Sequence, residues 1–420
     1  MKKTLSLFIV LAMVIALLPA AVLAEDIVVT VATWDATTTP YLIATKDAFE
    51  AANPGIKIEY IDVASQDYHV KVGAMLAGGD TVDIVDLKEL SNMETWSEAG
   101  FIMPLDEMIA ADGYDMGNYV GMDKCYIGAD GNQYGLPYRS DFWVLFYNKT
   151  LFDDAGVDYP TNDMTWDEYA DLARKMSSGV EGVDKVWGTH YHTWLSTVAC
   201  WSVCGGDYTL ADGTYDNLKY FYDLVLGLED EDVIMKNPDI SAAGLHYRGA
   251  FEVGNIAMLP MGYWFVSTLI NDIRNGDAEP FEWGIVAVPH AEGIPAGSSF
   301  GSPTGTCINV RSENKDLAWQ FIAWRCSEEG ALATAATGTR PAYVSDAVAA
   351  TMAAAEGFPP DASSLAALTP TSIALEWPTG EFVNAIKDVV NEEHTLIMTR
   401  SVTLAEGIES MNVRVGEILN

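Results

Sequence analysis

Basic residues are scarce in this chain: 23 lysines and arginines stand against 60 aspartates and glutamates, for a formal net charge of −37. A surface so acidic repels polyanions, which argues against nucleic acid and anionic lipid as partners. A solvated acidic exterior is the plain reading, with recruitment of a cationic ligand as the alternative. Cysteine is nearly as thin. Cys125, Cys200, Cys204, Cys307 and Cys326 are too few and too scattered for a disulfide scaffold, and an odd count leaves one unpaired. Cys200 and Cys204 are close in a stretch with helical character, where a bridge would be strained, so they read mostly as buried thiols. His-Glu-x-x-His, a Walker loop and a dinucleotide fingerprint are all missing, and no metal or cofactor is expected. Gly297-Ser-Ser-Phe-Gly301 fits the literal nucleophile-elbow spacing. Ser299 nevertheless sits in a Gly- and Ser-rich loop without a preceding strand or an oxyanion motif, so chance is the better account. Glu229 to Asp232 lacks the spaced loop of a calcium site and reads as an exposed acidic turn.

Long apolar runs are confined to the start. Lys2 and Lys3, an apolar stretch from Leu5 to Leu18, then Pro19 and small residues up to Ala24 have the form of an export signal. Cleavage after Ala24 would leave Glu25 first, with 396 of 420 residues and a charge of −39 once Lys2 and Lys3 are gone. No cysteine lies near that junction to carry a lipid, and no later stretch is long and apolar enough to span a bilayer. The chain therefore reads as exported, periplasmic or extracellular. It also reads as a monomer with room for two domains of ordinary size.

What is present alternates strand with helix. Ile27 to Trp34, Ile56 to Val63 and Asp83 to Leu87 read as strands, with helical spacing at Tyr41 to Ala52 and Tyr68 to Leu76 between them. That order predicts a parallel sheet with right-handed crossovers, whose ligands sit beyond the carboxyl ends of the strands, at Trp34, Asp35, Gln66, Asp67 and Asp86. Phe142 to Tyr147 is an apolar, aromatic run of buried-strand length. Thr165-Trp-Asp-Glu168 has capping-box spacing ahead of a helix through Met176, and Thr403-Leu-Ala-Glu406 repeats the pattern before the last helix. Ile256 to Pro260 reads as a strand, Gly262 to Ile273 as a helix, and Trp283 to Val288 as a strand returning to the first domain. Asp141 stands just before a buried run, where a carboxylate needs water or a partner, and this suggests a cleft.

Several segments carry a likeness in fixed order: Asn53-Pro54-Gly55, Gly135-Leu-Pro-Tyr138, Tyr147-Asn148-Lys149 with Leu151-Phe152, and Thr165 to Tyr169. Phe251 with Gly254, Ala257-Met258, Gly262 with Trp264, and Trp283-Gly284 with Pro289 follow. Through these the chain resembles the family 1 extracellular solute-binding proteins of ABC importers, which include maltose-binding and multiple-sugar-binding proteins. The resemblance implies an α/β periplasmic-binding-protein-like (type II) fold, two discontinuous lobes joined by a three-crossing hinge. The lobes expected are residues 25–140 plus 285–337 and residues 141–284 plus 338–420. It also implies an extracellular subunit that closes on a sugar or oligosaccharide and delivers it to the permease transmembrane subunits, without being an enzyme.

A sugar site needs flat aromatic faces and planar polar side chains. By position, Trp264 and Tyr191 match stacking aromatics of the family, and Asp141 matches a carboxylate on sugar hydroxyls. Tyr263 and His192 stand beside them. A core role competes for Trp264, and an ion pair with Arg139 competes for Asp141. His190 and His192 lack the third ligand of a metal site. Trp34, Asp35, Tyr41 and Asp86 at the strand ends, Arg340 at the third crossing and Trp377 complete the expected lining. Leu87 stands where maltose-binding protein has an aromatic, which argues against maltose itself. The alternatives are a polyamine or glycerol phosphate as ligand, a secreted glycoside hydrolase, or an adhesin.

Overall fold

The computed structural model describes residues 26–119, 122–180 and 182–420. The expected export signal, residues 1–24, lies outside the described residues. Among the described residues there are ten strands: β1 (Ile27–Trp34), β2 (Ile56–Val63), β3 (Ile84–Leu87), β4 (Leu136–Ser140), β5 (Trp143–Asn148), β6 (Met258–Gly262), β7 (Trp283–Ala287), β8 (Ser298–Gly301), β9 (Pro303–Ile308) and β10 (Ser372–Leu375). The first lobe is built on the sheet β2-β1-β3-β9-β4. β1 runs parallel to β2 from Ile27 opposite Ile56 to Trp34 opposite Val63, and parallel to β3 on its other side. Helices Pro40–Ala52 and Tyr68–Gly78 make the two crossovers, as the alternation predicts. The carboxyl ends of β1, β2 and β3 therefore share one edge, and that edge faces the second lobe.

The second lobe centres on the antiparallel sheet β6-β5-β7, with the parallel pair β8-β10 beside it. Here the sequence expectation is corrected. β7 does not return to the first lobe: it pairs with β5, Trp283 opposite Asn148 and Gly284 opposite Tyr147. Alternation identifies a strand but not its partner. The partner is dictated by Gly284, where a Cβ would come within 2.6 Å of the Tyr147 ring. By strand pairing, residues 285–301 belong with the second sheet. The chain crosses back at Ser302, between β8 and β9.

The three crossings lie side by side. Ser140 N donates to Arg340 O at 3.3 Å and Asp141 N to Ser302 O at 3.3 Å, while Arg139 bridges Pro341. Gly301 permits the contact, since a Cβ there would fall 1.9 Å from Asp141 O.

Both capping boxes form, Thr165 with Glu168 and Thr403 with Glu406. Each is worth about 1 kcal/mol to its helix. The helix Trp166–Met176 buries Trp166, Tyr169, Ala170, Ala173 and Met176 against the second core, the stripe that 3.6-residue periodicity gives. All five cysteines are free thiols. Ser299 lies in β8 rather than in a loop, and its hydroxyl is consumed by β5: it accepts from Trp143 N at 3.0 Å and donates to Trp143 O at 2.8 Å. The acidic turn is only partly exposed, because Glu229 is buried, accepting from Asn237 N at 2.8 Å and from Arg400 at 3.2 Å.

Two expected cleft residues belong to the first core. Asp86 makes a two-pronged ion pair with Arg325, at 2.7 and 3.2 Å, with both side chains fully buried. The guanidinium lies 3.5 Å from the centroid of Tyr138. Tyr41 packs against Tyr138 at 6.2 Å and under Arg139 at 5.2 Å, and is also buried.

Candidate functional site

On the first-lobe side, the strand ends present charge. Trp34 closes β1 with its ring edge against Tyr68, 5.1 Å between centroids, and with Lys88 and Arg139 5.8 and 5.9 Å from its own centroid. Asp35 follows with φ 49°, a left-handed conformation that aspartate tolerates better than most residues. Its carboxylate accepts from Ser65 N at 3.1 Å. Lys88, just past β3, donates to Ser65 O at 2.8 Å and Ser65 Oγ at 2.7 Å, and burial draws its pKa down. Glu89 accepts from His69 at 2.8 Å and also pairs with Lys387, which sits on the helix Val383–Met398 of the second lobe. Burial works against the Glu89 charge, but His69 and Lys387 hold its pKa well below the carboxylate range.

The hinge supplies a polar knot. Arg139 Nε is 2.9 Å from Asp141 Oδ2, off the line of a hydrogen bond, so this is a charge contact. Asp141 Oδ1 is buried without a hydrogen-bond partner. Burial raises the Asp141 pKa, with Arg139 and then Arg340 opposing. Arg340 donates to Ser140 Oγ at 2.7 Å and lies 5.2 Å from the centroid of Phe142. Tyr263 stacks on Phe142 at 5.3 Å and is buried, its hydroxyl also without a partner.

On the second-lobe side the wall is aromatic. The Trp264 ring lies flat over Gly262, where a Cβ would meet it at 1.9 Å. Trp143 stands edge-on to it at 5.4 Å, and the Trp264 Nε1 donates to Tyr247 Oη at 3.0 Å. Three constraints thus fix a half-buried ring. Residues 187–192 run alongside β6, with His190 N donating to Met258 O at 3.1 Å, so their side chains alternate. His192 faces Trp194, His246 and Tyr247 at 4.5, 5.2 and 5.7 Å. Tyr191 therefore points the other way, into the core beside Tyr169, and the expectation that it lines the cleft is corrected. Burial lowers the pKa of His190 to about 3 and of His192 to about 4, each helped by the next histidine. Both ring nitrogens of His190 are buried and unpartnered. Among the described residues, no group of three or more His, Cys, Asp or Glu is arranged to hold a metal ion.

Trp377 is half-buried with Lys387 5.9 Å from its centroid. Beside it Glu376 is pushed up to about 7 by burial, with Glu89 adding and Lys387 and Ser196 opposing. The structure thus ties Trp34 to Arg139 and Asp141, His192 to Tyr247 and through it to Trp264, and Trp377 to Lys387, with Arg340 and the Tyr263 hydroxyl near Asp141 and Asp35 near His246. It leaves Tyr41, Asp86 and Tyr191 in the cores. Sequence reading missed Lys88, Glu89, Trp194, His246, Tyr247, Glu376 and Lys387. For Lys88 and Glu89 the signal was available, since they follow a predicted strand end. His246 and Tyr247 open a six-residue helix, Tyr247–Glu252, that carries no such mark.

The family model described as bacterial extracellular solute-binding protein matches residues 35–332. The crystal structure of a sugar transporter from Rhizobium etli, in an open conformation, is 37% identical and superimposes with a TM-score of 0.78, covering 93% of this chain and 99% of that one. The Listeria monocytogenes ABC substrate-binding protein in complex with cycloalternan shares the fold at 23% identity, TM-score 0.76, over 94% and 99% of the two chains. The arabinooligosaccharide-binding protein of Halalkalibacterium halodurans is 26% identical over 204 residues, 46% of this chain and 44% of that protein.

Proposed function

Because the chain belongs to the bacterial extracellular solute-binding proteins, we propose that it is the sugar-binding subunit of an ABC importer, taking a sugar or oligosaccharide between its lobes and presenting it to the permease. The observation that carries this reading is the half-buried Trp264 ring, clamped by Gly262, Trp143 and Tyr247. A pyranose offers an apolar C–H face and a rim of hydroxyls. A pre-set indole face complements the first at little entropic cost, and the charged side chains at the strand ends and the hinge are of the kind that hold the second.

The placement of charged and aromatic residues on separate lobes supports a closing mechanism. Asp35 and Lys88 stand on one lobe, Trp264 and Trp377 on the other, and Asp141 and Arg340 at the hinge. A ligand touching all three binds the closed arrangement more tightly than the open one and shifts the population toward it. The chain's own residues hold and orient; no bond is broken. The test is calorimetric titration of the mature chain against mono- and oligosaccharides, glycerol phosphate and putrescine, with product analysis of each mixture. Stoichiometric binding of a sugar, without products and with a drop in the radius of gyration by X-ray scattering, supports the reading. Appearance of products sinks it in favour of a hydrolase, and binding of putrescine or glycerol phosphate alone moves it to the charged-ligand class.

A further inference from the structure

Tyr247 reaches Trp264 from a helix that does not hold itself in place. Tyr247–Glu252 spans six residues, too few for internal hydrogen bonds to stabilise it alone. Its cap is the His246 ring, which accepts from Arg248 N at a long 3.4 Å. Its position is therefore set by what it packs against, the helix Phe265–Asn275 that starts immediately after Trp264. One contact between the two helices is apolar: Phe265 lies 5.3 Å from Tyr247 and 6.1 Å from Phe251. Apolar packing is non-directional and leaves the short helix free to slide and turn. Arg248 removes that freedom. Its Nε donates to Asp272 Oδ2 and its Nη2 to Asp272 Oδ1, both at 2.7 Å. Such a two-pronged fork fixes orientation as well as distance. Asp272 stands about two turns beyond Trp264 on the same helix. Its side chain is only 1% exposed, where a carboxylate is costly without a partner, so the fork is held closed. Glu252 also accepts from Arg248 Nε, at 3.2 Å. Burial pushes the Glu252 pKa up, with Asp272 adding and Arg248 opposing, so Glu252 is the weaker of the two anchors.

We infer that Arg248 and Asp272 are positioning residues for the ligand site: they hold Tyr247 where its hydroxyl pins the Trp264 indole, and so set the affinity for sugar from outside the contact surface. This rests on the sugar-binding reading above. The line of action runs from Asp272 to Arg248 through the ion pair, from Arg248 to Tyr247 along the chain, and from Tyr247 to Trp264 through the hydrogen bond. Asp272 is buried, so it acts on the sugar only through these side chains.

The test uses the mature chain with isotope-labelled tryptophan. The Trp264 indole N–H resonance, assigned by its loss in Trp264→Phe, reports the bond to Tyr247 in the absence of sugar. Calorimetry with arabinotriose, mannotriose and maltotriose reports affinity. Asp272→Asn keeps the shape, removes the charge and leaves Arg248, 33% exposed, in reach of water. It should move the indole resonance toward its place in Tyr247→Phe and weaken whichever trisaccharide binds by about fivefold. Arg248→Lys, a point charge in place of a fork, should do the same. Glu252→Gln should leave the resonance in place and the affinity within about twofold. In a Tyr247→Phe background, Asp272→Asn should weaken binding no further, a result that general loss of stability does not produce. A resonance unmoved by Asp272→Asn, or the same loss of affinity with and without the Tyr247 hydroxyl, overturns the positioning role while the sugar reading stands. Failure of every trisaccharide on the wild type overturns the sugar reading and the role in affinity with it, and the resonance still decides whether Asp272 places the ring.

Discussion

Trp34 ends β1 in the first lobe, Trp264 follows β6 in the second, and the two differ in what covers them. Trp34 has Lys88 and Arg139 near its ring and Tyr68 at its edge, and only 8% of it is exposed. Trp264 is backed by a glycine and held by Trp143 and Tyr247, and it is only half-buried. The first wall spends its aromatics on packing and offers charge, while the second offers flat apolar faces. Polar and apolar recognition are thereby divided between two bodies, and neither wall alone suffices for a ligand that needs both.

The comparison can be broken most forcefully at Asp86. Asp86→Ala leaves Arg325 buried without its counter-ion and should cost about 3–5 kcal/mol in urea denaturation; a loss below about 1 kcal/mol would mean that the pair is not structural. Next, Trp264→Ala should weaken sugar binding by about 2 kcal/mol or more in calorimetry with little change in melting temperature, while Trp34→Ala should do the reverse. Gly262→Ala, which drives a methyl into the indole, should resemble Trp264→Ala in affinity. Equal effects of Trp34→Ala and Trp264→Ala on affinity would erase the asymmetry.

Acidity probes the second wall selectively. His190 titrates at about 3 when folded and near 6.5 when unfolded. Between those values the unfolded chain holds more protons, so stability falls as pH drops. From about pH 7 to about pH 5 the expected loss from His190 is roughly 2 kcal/mol, and His190→Leu should flatten the dependence measured by denaturant titration. An unchanged slope would rule His190 out as its source. The smallest effect lies between the walls. The Glu89 and Lys387 pair is partly exposed, so Lys387→Met should change the balance of open and closed forms by only about 0.5–1 kcal/mol. Small-angle scattering across a salt series reads it, and a variant indistinguishable from wild type at low salt would dismiss the pair as a tie.

Much of the fold was legible because periodicity is local. β1, β2 and β3 with their crossovers, the strand before Asn148 and both capping boxes follow from spacing alone. The destination of β7 was not, since it depends on Gly284 admitting the Tyr147 ring, a contact between residues far apart in sequence. In the site, positions after strand ends were found, but not which way they point. Tyr191 and His192 are adjacent and face opposite directions, and Asp86 was captured by Arg325, a partner 239 positions away. His246 and Tyr247 reach the cleft only through the packing of a short helix.

The three adjacent crossings also bear on how such a chain can change over generations. Each lobe is assembled from separated stretches of the gene, stitched where Ser140 meets Arg340 and Asp141 meets Ser302. Neither lobe can be exchanged by a single recombination event, because any cut that frees one also severs the other. Variation must come by point substitution on the walls, and the exposed aromatic surface at Trp194 can accept such changes with the least cost to folding.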